Sequence, residues 1–142
     1  MYDIGDIAKK FNKTIKKLVN LMNESISNNI LFDTIKRRTK LIIDSHPLFL
    51  LEEGGSQLFV YRDYIKDNRF EDLLNNSNDL IQNNESIQEY INNGDVSPKD
   101  INMLLNLLQE IWIKYDDDEK KIIKKLLKTL LSEYCKFITI KN

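Results

Sequence analysis

Apolar residues recur at spacings of three and four along nearly the whole chain, and only two prolines interrupt them. That period lines side chains along one stripe of an α-helix, whereas a strand would need alternation by two. The fold class follows from it: all-α. Residues 3–23 carry Ile4, Ile7, Phe11, Ile15, Leu18 and Met22 on one side. Ser27 is placed to cap a second helix, with Leu31, Ile35, Leu41 and Ile42 inward and Arg37 and Arg38 outward. That helix must stop before Pro47, because a proline disfavours helical geometry in the residue ahead of it.

Helix is not the obvious reading at HPLFLLEEGGSQLFVY, residues 46–61. Either it is a helical corner, with Gly54 as a stop and Ser56 as the next cap, or a short hairpin turning at Gly54-Gly55. The corner is preferred, since an isolated two-stranded hairpin is marginal in water. Helix resumes through Tyr61, Tyr64 and Ile65 and restarts after a break around Asn68. Residues 75–93 are polar and Asn-rich and form the weakest helical segment, closed by Gly94.

Ser97-Pro98-Lys99-Asp100 is a strong start signal: a cap, a first-turn proline and an acid at the positive helix end. The segment near 98–115 that follows has Ile101, Leu104, Leu105, Leu108, Ile111 and Trp112 on one face. Met103, Leu107 and Ile113 widen its apolar surface, which predicts a helix in the middle of the bundle. Asp116–Asp118 open the last helix, with Ile122, Ile123, Leu126, Leu127, Leu130, Leu131 and Tyr134 as a broad stripe. The expected architecture is a single compact bundle of five to seven helices in one domain spanning 1–142, with 42% apolar residues to build its core.

Charge is segregated. Residues 1–43 hold nine Lys/Arg against four Asp/Glu, residues 44–118 five against sixteen, and residues 119–142 seven against two. The plainer reading is internal neutralisation, with the basic helices packed beside the acidic middle. The sharper one is a face basic enough to meet an acidic partner. A bias toward Ile, Lys and Asn with one alanine, Ala8, suggests an A/T-rich genome, that of a low-GC bacterium, phage, large DNA virus or protist, and allows a viral or mobile-element origin. No apolar run of membrane-spanning length and no secretory signal is visible, and Cys135 stands alone, so an intracellular, cytoplasmic setting (host cytoplasm for a viral protein) is expected. Four Asn-x-Ser/Thr sequons, Asn12 and Asn84 among them, are expected by chance in so Asn-rich a chain.

The stretch DIAKKFNKTIKKLVNLM, residues 6–22, resembles a helix-turn-helix. Ala8 would let two helices approach, Phe11 would pack the turn, Asn12 would take the left-handed conformation and Thr14 would cap the second helix. Lys13, Lys16, Lys17 and Asn20 would then face nucleic acid, helped by Lys121, Lys124, Lys125 and Lys128 of the last helix. Against it, Lys13 occupies a usually apolar turn position and no supporting helix precedes the motif.

Catalysis finds little support. His46 and Cys135 are the sole residues of their kinds, too few for a structural zinc site, and no Gly-rich phosphate loop exists among the four glycines. Asp116–Asp118 lack the alternating ligands of a calcium loop, and helix initiation accounts for them. Neither cofactor nor metal is expected. Phe59, Tyr61, Arg62, Tyr64, Arg69 and Phe70 cluster along the central segment; core packing is the default, and any left exposed would anchor a protein interface. The functional expectation is a non-enzymatic protein-binding module (adaptor, assembly subunit or modulator), able to self-associate as a homo-oligomer. Nucleic-acid binding through residues 6–22 is the alternative.

Overall fold

The computed structural model describes residues 3–25, 30–94 and 97–141. Among them are nine α-helices and one π-helical turn, without strands. They are α1 (Ile4–Ser25), α2 (Ile30–Ser45), the π turn (Leu50–Gly54), α3 (Gly55–Val60), α4 (Arg62–Lys66), α5 (Phe70–Asn75), α6 (Ser77–Gln82), α7 (Glu85–Asn92), α8 (Pro98–Lys114) and α9 (Asp117–Lys141). The count exceeds five to seven because the middle of the chain breaks into turns of five to eight residues. Asn68, at φ 57°, makes the expected break between α4 and α5. The expected Ser27 cap lies outside the described residues.

The central helix is α9, not the one near 98–115. Its face of Ile123, Leu127, Leu130, Leu131 and Phe137 is buried, and α1, α3 and α4 pack along it. From α1, Ile7, Ala8 and Phe11 enter the same core. Among the described side chains of α8, the buried ones are Ile111 and Trp112 at its C-terminal end, with Tyr115 just beyond it. Met103 and Ile113 face solvent, while Leu105 and Leu108 are half-buried. Apolar breadth misled here: α8 lies at the edge, packed on α5, and shows its surplus to water. Leu41 is likewise outward rather than inward, because α2 packs against α1 along its other side.

Residues 46–61 form the helical corner, but Gly54 does not stop it and Ser56 does not cap it. The π turn runs straight into α3, and Gly54 and Gly55 both have right-handed helical angles. Gly55 is buried against α9: a Cβ there would sit 2.7 Å from Tyr134 Cγ.

The start signals of the later helices behave as written. Ser97 Oγ accepts from the Lys99 N–H at 3.2 Å. Asp116 and Glu119 form a reciprocal capping box, Oδ1 of Asp116 accepting from Glu119 N–H at 2.8 Å and Glu119 Oε1 from Asp116 N–H at 3.2 Å. Gly94, at φ 78°, follows α7.

Asn84 has a role the sequence did not announce. It is buried, its Oδ1 caps α7 by accepting from Ile87 N–H at 3.1 Å, and its Nδ2 donates to Gln57 Oε1 at 3.0 Å and Tyr61 Oη at 2.8 Å. One side chain thus ties α7 to α3 and to the α3–α4 junction. Asn84→Ala is expected to lower unfolding free energy by about 1–2 kcal/mol through loss of the cap and of buried hydrogen bonds. Urea denaturation measures it, and an unchanged midpoint would show the network to be dispensable.

Candidate functional site

The stretch 6–22 is not a helix-turn-helix. It lies within one uninterrupted helix, α1, and Asn12 is not left-handed, since Asn68 is the one non-glycine residue with positive φ among the described residues. Thr14 caps nothing: its hydroxyl donates back to the Lys10 carbonyl at 2.8 Å. Asn12 bonds away from its own helix, its Nδ2 donating to the Pro47 carbonyl at 2.9 Å. With no glycine or proline between Asp6 and Met22 to interrupt it, the continuous apolar stripe keeps the helix whole.

The lysines of that stretch nevertheless meet those of the far end of the chain. Because α1 packs along α9, the two basic termini lie together instead of flanking the acidic middle. Between them runs a groove of about 880 Å³. Lys9, Lys10, Lys13 and Lys17 line it from α1 and Lys125 from α9, with Asp6 the one acid among the described lining residues. Leu21, Ile122 and Leu126 supply its apolar part, with Thr14 and Thr129 between. Ile122, expected in the core stripe, is 50% exposed. Lysine stems extend this apolar surface while their ammoniums stay in water.

One buried acid organises the seam. Glu133, whose side chain is 4% exposed, accepts Lys10 Nζ at 3.2 Å and Lys136 Nζ at 3.1 Å. It draws Lys10 toward α9, whereas Lys9, Lys13, Lys17 and Lys125 make no ion pair among the described residues. Sequence reasoning passed over Glu133; its one available signal was an acid set within the apolar stretch of α9.

Lys16 and Asn20 point away from the groove, lining a cleft of about 380 Å³ with Lys36, Arg37 and Lys40 of α2. Lys121, Lys124, Lys125 and Lys128 gather around Asn68 in a third hollow of about 430 Å³, with Lys125 common to this hollow and the groove. Lys124 also pairs with Glu71 at 3.0 Å. Burial alone would raise the Glu71 pKa, but the Lys124 hydrogen bond and charge hold it below the ordinary value.

The central aromatics are placed in separate packing pairs rather than one patch. Phe59 lies 5.8 Å from Tyr134, with the Arg62 guanidinium 4.3 Å from its centroid. Tyr61 receives Asn84, Arg69 stacks 4.8 Å from the Tyr64 centroid, and Phe70 meets Trp112 edge-on at 4.8 Å. Of the six residues only Arg69 is exposed. His46 is exposed at the corner and Cys135 is half-buried on α9.

No helix among the described residues is long and apolar enough to cross a membrane. Comparison with protein-family models, with curated proteins and with solved structures finds no match.

Proposed function

We propose that the chain is a non-enzymatic protein-binding module, an adaptor, assembly subunit or modulator, that takes an acidic amphipathic helix into the α1–α9 groove. The observation that carries this reading is the pairing of apolar residues with lysines from both helices in one elongated depression. That is the chemistry of helix-in-groove recognition, in which leucine-type anchors enter the apolar strip and flanking charges set orientation. The lysines speed encounter and select acidic partners, and burial of Leu21, Ile122 and Leu126 supplies most of the affinity. Among the described lining residues there is no aromatic and no arginine, so they offer neither the stacking platforms nor the bidentate donors of nucleic-acid sites. We take the setting to be the cytoplasm, and the partner to be another protein or the acidic middle of a second copy.

Fluorescence anisotropy with a labelled, leucine-faced, glutamate-flanked helix of about 20 residues, long enough to hold helical structure, tests the reading. Binding should be micromolar and salt-sensitive, and Ile122→Asp should weaken it about tenfold or more, an effect the size of an interface anchor. Ile122 is half exposed, so the variant should stay folded. Lys13→Glu with Lys17→Glu should weaken it further. Tighter binding of duplex DNA, insensitive to Ile122→Asp but lost in the double Glu variant, would establish the nucleic-acid reading instead. Concentration-dependent dimerisation that excludes the peptide would identify the partner as a second copy.

A further inference from the structure

The cleft of about 380 Å³ between α1 and α2 carries four cations and no acid among its described lining residues. Lys16 comes from α1, and Lys36, Arg37 and Lys40 come from α2. A spacing of four sets Lys16 beside Asn20 on one helix and Lys36 beside Lys40 on the other, so both pairs reach the same cleft. The other two basic hollows have counter-charges close by: Lys10 of the groove meets Glu133, and Lys124 of the hollow at Asn68 meets Glu71. Lys16, Lys36, Arg37 and Lys40 make no ion pair among the described residues, although Glu24 and Asp33 belong to the same two helices. Positive charges gathered without an acid repel one another, and a bound anion of more than one charge removes that cost.

We propose that this cleft binds a compact phosphate-rich anion, either a diphosphate or a closely spaced pair of phosphoester groups. The charge of such a ligand matches that of the lining. The Arg37 guanidinium supplies a planar fork that takes two phosphate oxygens at once, while the lysines act as point charges. Asn20 adds an uncharged amide donor. Lys36 and Lys40 lie one helical turn apart, about 6 Å along the axis, a length that two joined phosphates fill. Val19 is the one apolar residue among the described lining, so those residues hold no hydrocarbon body and selectivity rests on charge. The cleft and the α1–α9 groove share no described lining residue, so this site stands or falls apart from the groove reading.

The full chain is titrated by calorimetry with pyrophosphate near physiological salt and, in parallel, with succinate, a carboxylate dianion. Pyrophosphate should bind about tenfold or more tightly than succinate. Arg37→Glu with Lys40→Glu should abolish binding. Arg37→Lys alone should weaken it about tenfold, because the charge is kept and the fork is lost. Both positions are exposed, so the variants should keep their helical circular dichroism. Lys66→Glu with Lys114→Glu removes the same charge at exposed positions elsewhere and should leave binding intact. Two further arms identify the source of the phosphate. Sedimentation with phosphatidylcholine vesicles containing phosphatidylinositol bisphosphate, reversed by pyrophosphate, identifies a lipid headgroup; pyrophosphate binding without vesicle binding identifies a free ligand. Equal affinity for the two anions, or binding of neither, overturns the proposal whether or not the variants fold. So does an equal loss in both double variants, or duplex DNA that holds the chain against excess pyrophosphate.

Discussion

Phe11→Ala is expected to cost about 3–5 kcal/mol of unfolding free energy, the range for a large side chain removed from a packed core. Phe11 is 0% exposed and belongs to the core cluster that includes Leu51, Leu127 and Leu130. Its removal leaves a void that flanking helices cannot close without shifting α1, and α1 is held by Glu133 to Lys10 and by Asn12 to the Pro47 carbonyl. Domains of this kind retain about 5–15 kcal/mol in total, so the variant should sit near the limit of folding. Urea denaturation monitored by circular dichroism gives the number. Ile113→Ala is the control: Ile113 is 79% exposed, and its loss should change stability by less than about 0.5 kcal/mol, the range of ordinary surface substitutions. A Phe11→Ala effect as small as that would remove α1 from the core.

Gly55→Ala should destabilise by about 3 kcal/mol, the upper end of the overpacking range, although alanine is the better helix former. The added methyl would lie 2.7 Å from Tyr134 Cγ and 3.0 Å from Cε1. The near side of an aromatic ring fixed to a helix cannot swing away as the end of a lysine could. Tyr134 is itself packed against Phe59 and Phe137, which closes off its escape. The double variant with Tyr134→Ala should recover part of the loss, giving a coupling energy above about 1 kcal/mol, as expected for residues in direct contact. If Gly55→Ala proves neutral or stabilising, helix propensity dominates at this position and the close approach of α3 to α9 is not a constraint. Gly54, with nothing within 4 Å of an added Cβ, provides the comparison.

Periodicity by itself determined the all-α class, and local chemistry determined several helix ends. Ser97-Pro98, Asp116 to Glu119 and Gly94 are short-range devices whose hydrogen bonds or dihedral angles close within a few residues, so they could be read before any packing was known. Lys13, Lys17 and Lys125 of the groove were legible as candidates for the same reason, because exposure off an apolar stripe is a local property, whereas Lys9 and Lys10 were not singled out. Only tertiary structure decided which helix is central. The broad apolar surface near 98–115 and the stripe of α9 look alike in sequence, and burial was settled by where α1 lies. The same packing kept residues 6–22 in one helix, with Asn12 bonding to a carbonyl 35 residues away rather than forming a turn. It also turned separate basic ends into one face and left Ile122 on the rim of a groove and Glu133 paired with Lys10 beside it. Each of these depends on contacts between residues distant in the chain, and a spacing rule that compares a residue only with its third and fourth neighbours carries no information about them.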